Sequence, residues 1–104
     1  MTSAKSVLDT LRPRAETTLA ALAAHPYQTL AALPGVDAEE IAGLPKQATL
    51  TTFRDVLPEG RLRVVVQVVV RGMLGSARIW AKGFYLLPGA QPIPATDEDL
   101  YEFF

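Results

Sequence analysis

Residues Arg61-Leu62-Arg63-Val64-Val65-Val66-Gln67-Val68-Val69-Val70-Arg71 and Ser76-Ala77-Arg78-Ile79-Trp80-Ala81-Lys82-Gly83-Phe84-Tyr85-Leu86-Leu87, joined by Gly72-Met73-Leu74-Gly75, decide the fold. Their β-branched and aromatic side chains suit a pleated, half-buried surface, and a two-residue period runs through both halves. They read as two strands of an antiparallel hairpin. With a four-residue turn, Arg71 faces Ser76. Because side chains alternate along a strand, that register decides which residues share a face. One face then carries Leu62, Val64, Val66, Val68 and Val70 beside Ala77, Ile79, Ala81, Gly83 and Tyr85, an apolar surface suited to a helical cover. The other carries Arg63, Val65, Gln67, Val69 and Arg71 beside Arg78, Trp80, Lys82 and Phe84.

The same reasoning extends outward. Gln47 to Leu57 is a further strand, joined through Pro58-Glu59-Gly60, which suits a three-residue hairpin with glycine in the left-handed position. It adds Thr49, Thr51, Phe53 and Asp55 to the second face. From Ser3 to Ala24, Leu8, Leu11, Ala15, Leu19 and Leu22 recur at steps of three and four, one face of a helix. Pro13 marks a kink or the start of a second, longer helix. His25-Pro26 breaks the pattern, and a short helix from Pro26 to Leu33 stops at Pro34-Gly35. Asp37 reads as the N-cap of a third helix, Ala38 to Ala42, ended by Gly43. After the irregular Pro88 to Pro94, Thr96 and Asp99 form a capping pattern for a last short helix, whose Leu100, Tyr101, Phe103 and Phe104 pin the C-terminus to the body. The expected architecture is α+β: N-terminal helices on a three- to four-stranded antiparallel meander sheet, with a short C-terminal helix. Residues 1–104 form one domain, with a helical part over 1–45, a sheet over 46–88 and a tail over 89–104.

The chain has 104 residues, 49% hydrophobic and 20% charged, enough apolar material for one core and too much for a disordered chain. Its net charge of -1 conceals a division: residues 1–45 carry -2, residues 46–88 carry +5 and residues 89–104 carry -4. The near-zero total disfavours a protein that coats nucleic acid. Cysteine is absent, which excludes disulfides, thiolate nucleophiles and cysteine-ligated metals. No apolar run reaches the length of a membrane span, and the N-terminal segment is amphipathic where a secretory leader would be apolar. A cytoplasmic protein without a membrane partner is the expectation.

Little in the sequence supports catalysis. His25 is the only histidine, held between Ala24 and Pro26, and reads as a helix-end residue. Ser3, Ser6 and Ser76 lack an activating context. Asp97-Glu98-Asp99 has no metal-ligand spacing and reads as favourable charge at a helix start. Asp55, Arg63, Lys82 and Tyr85 are the polar groups available near one sheet, and they divide between its faces. No enzyme, cofactor or metal is expected.

Four short stretches resemble known elements. Leu33-Pro34-Gly35-Val36, with Ala38 and Ile41, resembles the hairpin of helix-hairpin-helix DNA-binding elements, which implies a phosphate contact through Leu33 to Ile41; Asp37 stands where that family has its second glycine. Lys82-Gly83-Phe84-Tyr85 is similar to the start of the RNA-recognition strand motif, whose aromatics stack bases. Gln67-Val68-Val69-Val70-Arg71-Gly72 is similar to the Q-x-V-x-G hairpin of cystatin-like inhibitors, with one residue more. Leu100-x-x-Phe103-Phe104 resembles the hydrophobic plug of sliding-clamp-binding peptides, with Asp97 where glutamine is expected.

The second sheet face is the candidate site. Phe53, Val65, Val69, Trp80 and Phe84 left in water would form an apolar patch that monomers rarely carry. Burying each is worth about 1.5 to 3 kcal/mol. Arg63, Arg78 and Lys82 form a basic rim whose stems lie over apolar area. A second copy, the acidic aromatic tail or a separate ligand would cover it. The leading expectation is a non-catalytic interaction domain that self-associates there as a homodimer. The alternative is an anionic small ligand or single-stranded nucleic acid stacked on Trp80 and Phe84.

Overall fold

The computed structural model describes residues 3–104; Met1 and Thr2, which begin the segment expected to lack a leader's apolar run, lie outside them. Helix α1 spans Ala4–Ala23 and starts where the Ser3 hydroxyl accepts the Ser6 N–H at 3.1 Å. It runs on through Pro13. The carbonyl deprived of its donor belongs to Asp9, on the exposed side of the helix. Packing sustains the helix: Val7, Leu8, Leu11 and Ala15 are buried, and Leu19 and Leu22 lie against the same core. Helix α2, Tyr27–Ala31, follows Pro26, and the Tyr27 hydroxyl donates to the Gly60 carbonyl.

The strands are β1 Val36–Ile41, β2 Ala48–Val56, β3 Leu62–Arg71, β4 Ala77–Leu86 and β5 Ile93–Pro94, in one sheet of order β1-β2-β3-β4-β5 with every pair antiparallel. The architecture is α+β as expected, with five strands in place of three or four. The expected third helix, Ala38 to Ala42, is instead largely β1. A five-residue helix fixes its backbone for very few hydrogen bonds, whereas six residues along β2 gain a ladder partner at once. Asp37, Glu39 and Glu40 then charge the sheet's outer edge, which discourages further strand pairing. The expected C-terminal helix is a single 3-10 turn, Tyr101–Phe103.

As expected, Thr49, Thr51, Phe53 and Asp55 share a face with Arg63, Val65 and Val69; in the β2–β3 register Asp55 faces Arg63, Phe53 faces Val65 and Thr49 faces Val69. The β3–β4 register is displaced by one residue, with Arg71 opposite Ala77, Val68 opposite Trp80 and Val64 opposite Phe84. The cause is the turn. Gly72 N–H donates to the Ser76 carbonyl at 2.9 Å, so the loop is the three residues Met73-Leu74-Gly75 and Ser76 joins the ladder. Leu74 and Gly75 take φ of 58° and 78°, as Glu59 and Gly60 take 70° and 77° in the preceding hairpin. Two hairpins of the same length thus replace a short and a long one.

This displacement turns over every β4 side chain. Trp80, Phe84 and Leu86 face the helices, and Ile79, Ala81, Gly83 and Tyr85 face away. Burial explains the preference, because opposite Val68 and Val64 the helix side gains an indole and a phenyl ring where the expected register offered Ile79 and Gly83. Trp80 packs with Val7, Leu8, Leu11, Val66, Val68 and Val70, and Phe84 with Leu30, Leu62, Val64 and Leu86.

Gly83 reports on this register. A Cβ there would collide with the Val64 carbonyl oxygen and come within 3.2 Å of the Val65 Cα. Gly83→Ala is expected to lower the unfolding free energy by about 1 to 3 kcal/mol, read as a lower denaturant midpoint at unchanged slope. Wild-type stability in that variant would contradict the pairing.

Candidate interaction surfaces

The eight residues expected on one face are divided between two. Phe53, Arg63, Val65 and Val69 lie on the side away from α1; Arg78, Trp80, Lys82 and Phe84 lie on the helix side. Trp80 and Phe84 are 8% and 4% exposed and belong to the core, so these two rings offer no platform to solvent. Arg78 and Lys82 remain exposed. The single amphipathic face is therefore not assembled, for the parity reason given above.

The tail occupies much of the side away from α1. Ala95 N–H donates to the Gly83 carbonyl at 2.9 Å, extending the chain past β5. Thr96 and Asp99 form the reciprocal cap the sequence suggests: Asp99 N–H donates to the Thr96 hydroxyl at 3.2 Å, and the Thr96 N–H and hydroxyl donate to the Asp99 carboxylate at 3.1 and 2.9 Å. Leu100 and Phe103 are then set down on Val65 and Ala81. The Phe103 ring meets that of Phe53 at 5.1 Å, tilted by 55°. Gln67 donates its side-chain amide to the Phe103 carbonyl.

Arg63 joins sheet to tail. Its guanidinium donates to Asp55 at 2.7 Å, pairs with Glu102 at 2.7 Å and lies 5.1 Å from the Phe103 ring centre. Burial works against its charge, but hydrogen bonding and attraction from Asp55, then from Glu102, outweigh it and raise the pKa above its ordinary value. Asp99 is shifted below its ordinary 3.8, chiefly by the Thr96 N–H and then by the Thr96 hydroxyl.

Beyond the tail this face stays partly open. Val69 and Ile79 pair across β3 and β4 and are each half-buried, while Arg71 and Ala77 at the hairpin end are exposed. Tyr101 and Phe104 turn outward, 79% and 52% exposed. The sequence alone missed Ile79, since the expected turn placed it under the helices.

The other candidates resolve simply. His25 lines a depression with Pro26, Tyr27, Leu86 and residues 89–92, with no serine or carboxylate on its wall. Asp55, Arg63 and Tyr85 share one face after all, but Lys82 is on the other, and Arg61 stacks over Tyr85 at 4.5 Å. Among the described residues no three His, Cys, Asp or Glu side chains converge to hold a metal. Nor is any helix among the described residues long and apolar enough to cross a membrane. The segment that resembles a helix-hairpin-helix element continues as β1, so its second helix is missing. Phe84 of the RNA-recognition-like stretch faces the core, Gln67 sits mid-strand beneath the tail, and Leu100 and Phe103 of the plug-like tail are buried on the chain's own sheet.

Compared with known protein families, characterised proteins and solved structures, the chain matches none.

Two outcomes follow for the tail. Phe103→Ala is expected to cost about 3 kcal/mol of unfolding free energy and to strip exchange protection from the amides of residues 95–104 before those of α1. The Asp99 carboxylate has a lower pKa folded than unfolded, so its contribution is complete above the unfolded value and disappears as pH falls through the folded one. Tail amides should therefore lose protection as pH drops below about 4, and Asp99→Asn should remove that part of the acid sensitivity.

Proposed function

We propose that this chain is a small, non-catalytic interaction domain that self-associates as a homodimer through the part of the second sheet face its tail leaves open. One observation carries the reading: the half-exposed Val69 and Ile79 lie between the acidic, aromatic tail and the basic hairpin end with Arg71. Along β3 the order is Arg63 and Gln67 under the tail, then Val69, then Arg71. A two-fold axis at Val69 and Ile79 would lay each tail, with Asp97, Glu98 and the outward Tyr101 and Phe104, against the partner's Arg71. Such an isologous contact matches unlike charges and covers apolar rings in one arrangement.

This reading keeps the expected class and partner and alters the anchors. Phe53 and Val65 are engaged by the chain's own tail, Trp80 and Phe84 lie under α1, and Val69 is joined by Ile79, Tyr101 and Phe104. Trp80 and Phe84, the two rings expected to stack bases, are in the core and do not face this side. A cytoplasmic setting belongs to the same proposal.

Sedimentation equilibrium is the test. Wild type is expected to be dimeric at tens of micromolar, with weaker association at high salt as the charge contacts are screened. Ile79→Asp should be monomeric with an unchanged circular dichroism spectrum. A wild-type chain that stays monomeric across that range would overturn the proposal.

A further inference from the structure

Three cations from three separate elements surround one cleft: Lys5 from the first turn of α1, Lys46 from the loop between β1 and β2, and Arg78 from the start of β4. The cleft holds about 330 Å³ and is completed by Ser3, Ala4, Gly72, Met73 and Ser76, with no carboxylate on its wall. Three of the six other arginines are neutralised by carboxylates. Arg12, Arg14 and Arg63 each pair with a carboxylate, at 3.7 Å from Asp9, with Glu39, and at 2.7 Å from Asp55. Among the described residues Lys46 and Arg78 have no ion pair, and Lys5 has only Asp9 at 3.7 Å, both side chains largely in water. Lys46 is half-buried, so it is less free than a surface lysine to swing away from its neighbours.

Like charges gathered round a concave surface repel one another, and an anion between them relieves the repulsion. The field in the cleft is reinforced by the start of α1, a twenty-residue helix whose first N–H groups have no partner within the helix. The volume lies at the lower end of the range for small-molecule sites. We propose that this cleft binds the phosphate of a small phosphomonoester, with Arg78 and Lys46 as the principal ligands and Lys5 closing the mouth. The site is on the helix side of the sheet and does not rest on the dimer proposed above.

Titration of the full chain with inorganic phosphate and with phosphoserine, followed by amide and side-chain NMR shifts at low ionic strength, tests it. Saturable shifts confined to Lys5, Lys46, Ser76 and Arg78 are expected, with serine as a silent control. Arg78→Gln and Lys46→Gln should each weaken binding about tenfold, the loss of one charge-assisted hydrogen bond, while Lys82→Gln, an exposed cation outside the cleft, should leave it unchanged. All three positions have side chains outside the buried core, and circular dichroism checks that the variants are folded. Three results would overturn the proposal: shifts that do not saturate, equal binding by chloride, or binding of a single-stranded oligonucleotide without competition by phosphate.

Discussion

The register between β3 and β4 is the constraint on which the rest depends. Side chains alternate with a period of two, so one residue of turn length moves Trp80 and Phe84 from one side of the sheet to the other. With Gly72 closing onto Ser76, both rings enter the helix-covered core and Ile79, Ala81 and Gly83 take their places opposite. Everything on the second face follows from this exchange. Ala81 and Gly83 are small enough for the tail to approach the sheet closely, and Phe103 uses the space.

A sheet with an apolar row on each side needs two covers, and this chain supplies both. The N-terminal helix, with α2, covers one side through a stripe of aliphatic residues; the tail covers the other with just Leu100 and Phe103 fully committed. The difference in extent is what leaves Val69 and Ile79 half-open. Arg63 compensates for the small size of the second cover. It is largely buried, yet its charge is answered by carboxylates from the sheet and from the tail, which a lone buried cation would lack.

The charge division along the sequence takes on meaning once folded. The acidic tail returns to the basic sheet and is held through Glu102 and Arg63, whereas Lys46 and Arg78 line a separate cleft and have no ion pair among the described residues. Opposite signs that nearly cancel in the total are thus separated in space: an acidic edge at β1 and an acidic tail, against a basic cleft where α1 begins.

The sequence by itself determined the local structure and much of its order. The aliphatic spacing from Leu8 to Leu22 predicts α1, the alternation from Gln47 to Leu87 predicts three strands, and Pro58-Glu59-Gly60 predicts a three-residue turn between strands that put Asp55 and Arg63 on one face. Even the Thr96 and Asp99 cap was legible, because such motifs depend on neighbours within a few residues. Tertiary structure decided the rest. Val36 to Ile41 has no strong preference of its own and became a strand because β2 offered an unpaired edge. Gly72 to Ser76 is compatible with a three- or a four-residue loop, and the choice was made by the burial of Trp80 and Phe84 beneath a helix more than fifty residues away in the chain. That is why the candidate site divided in two: a face is a sum over distant strands, and a single step in a loop of nearly equal local energies changes every term in it.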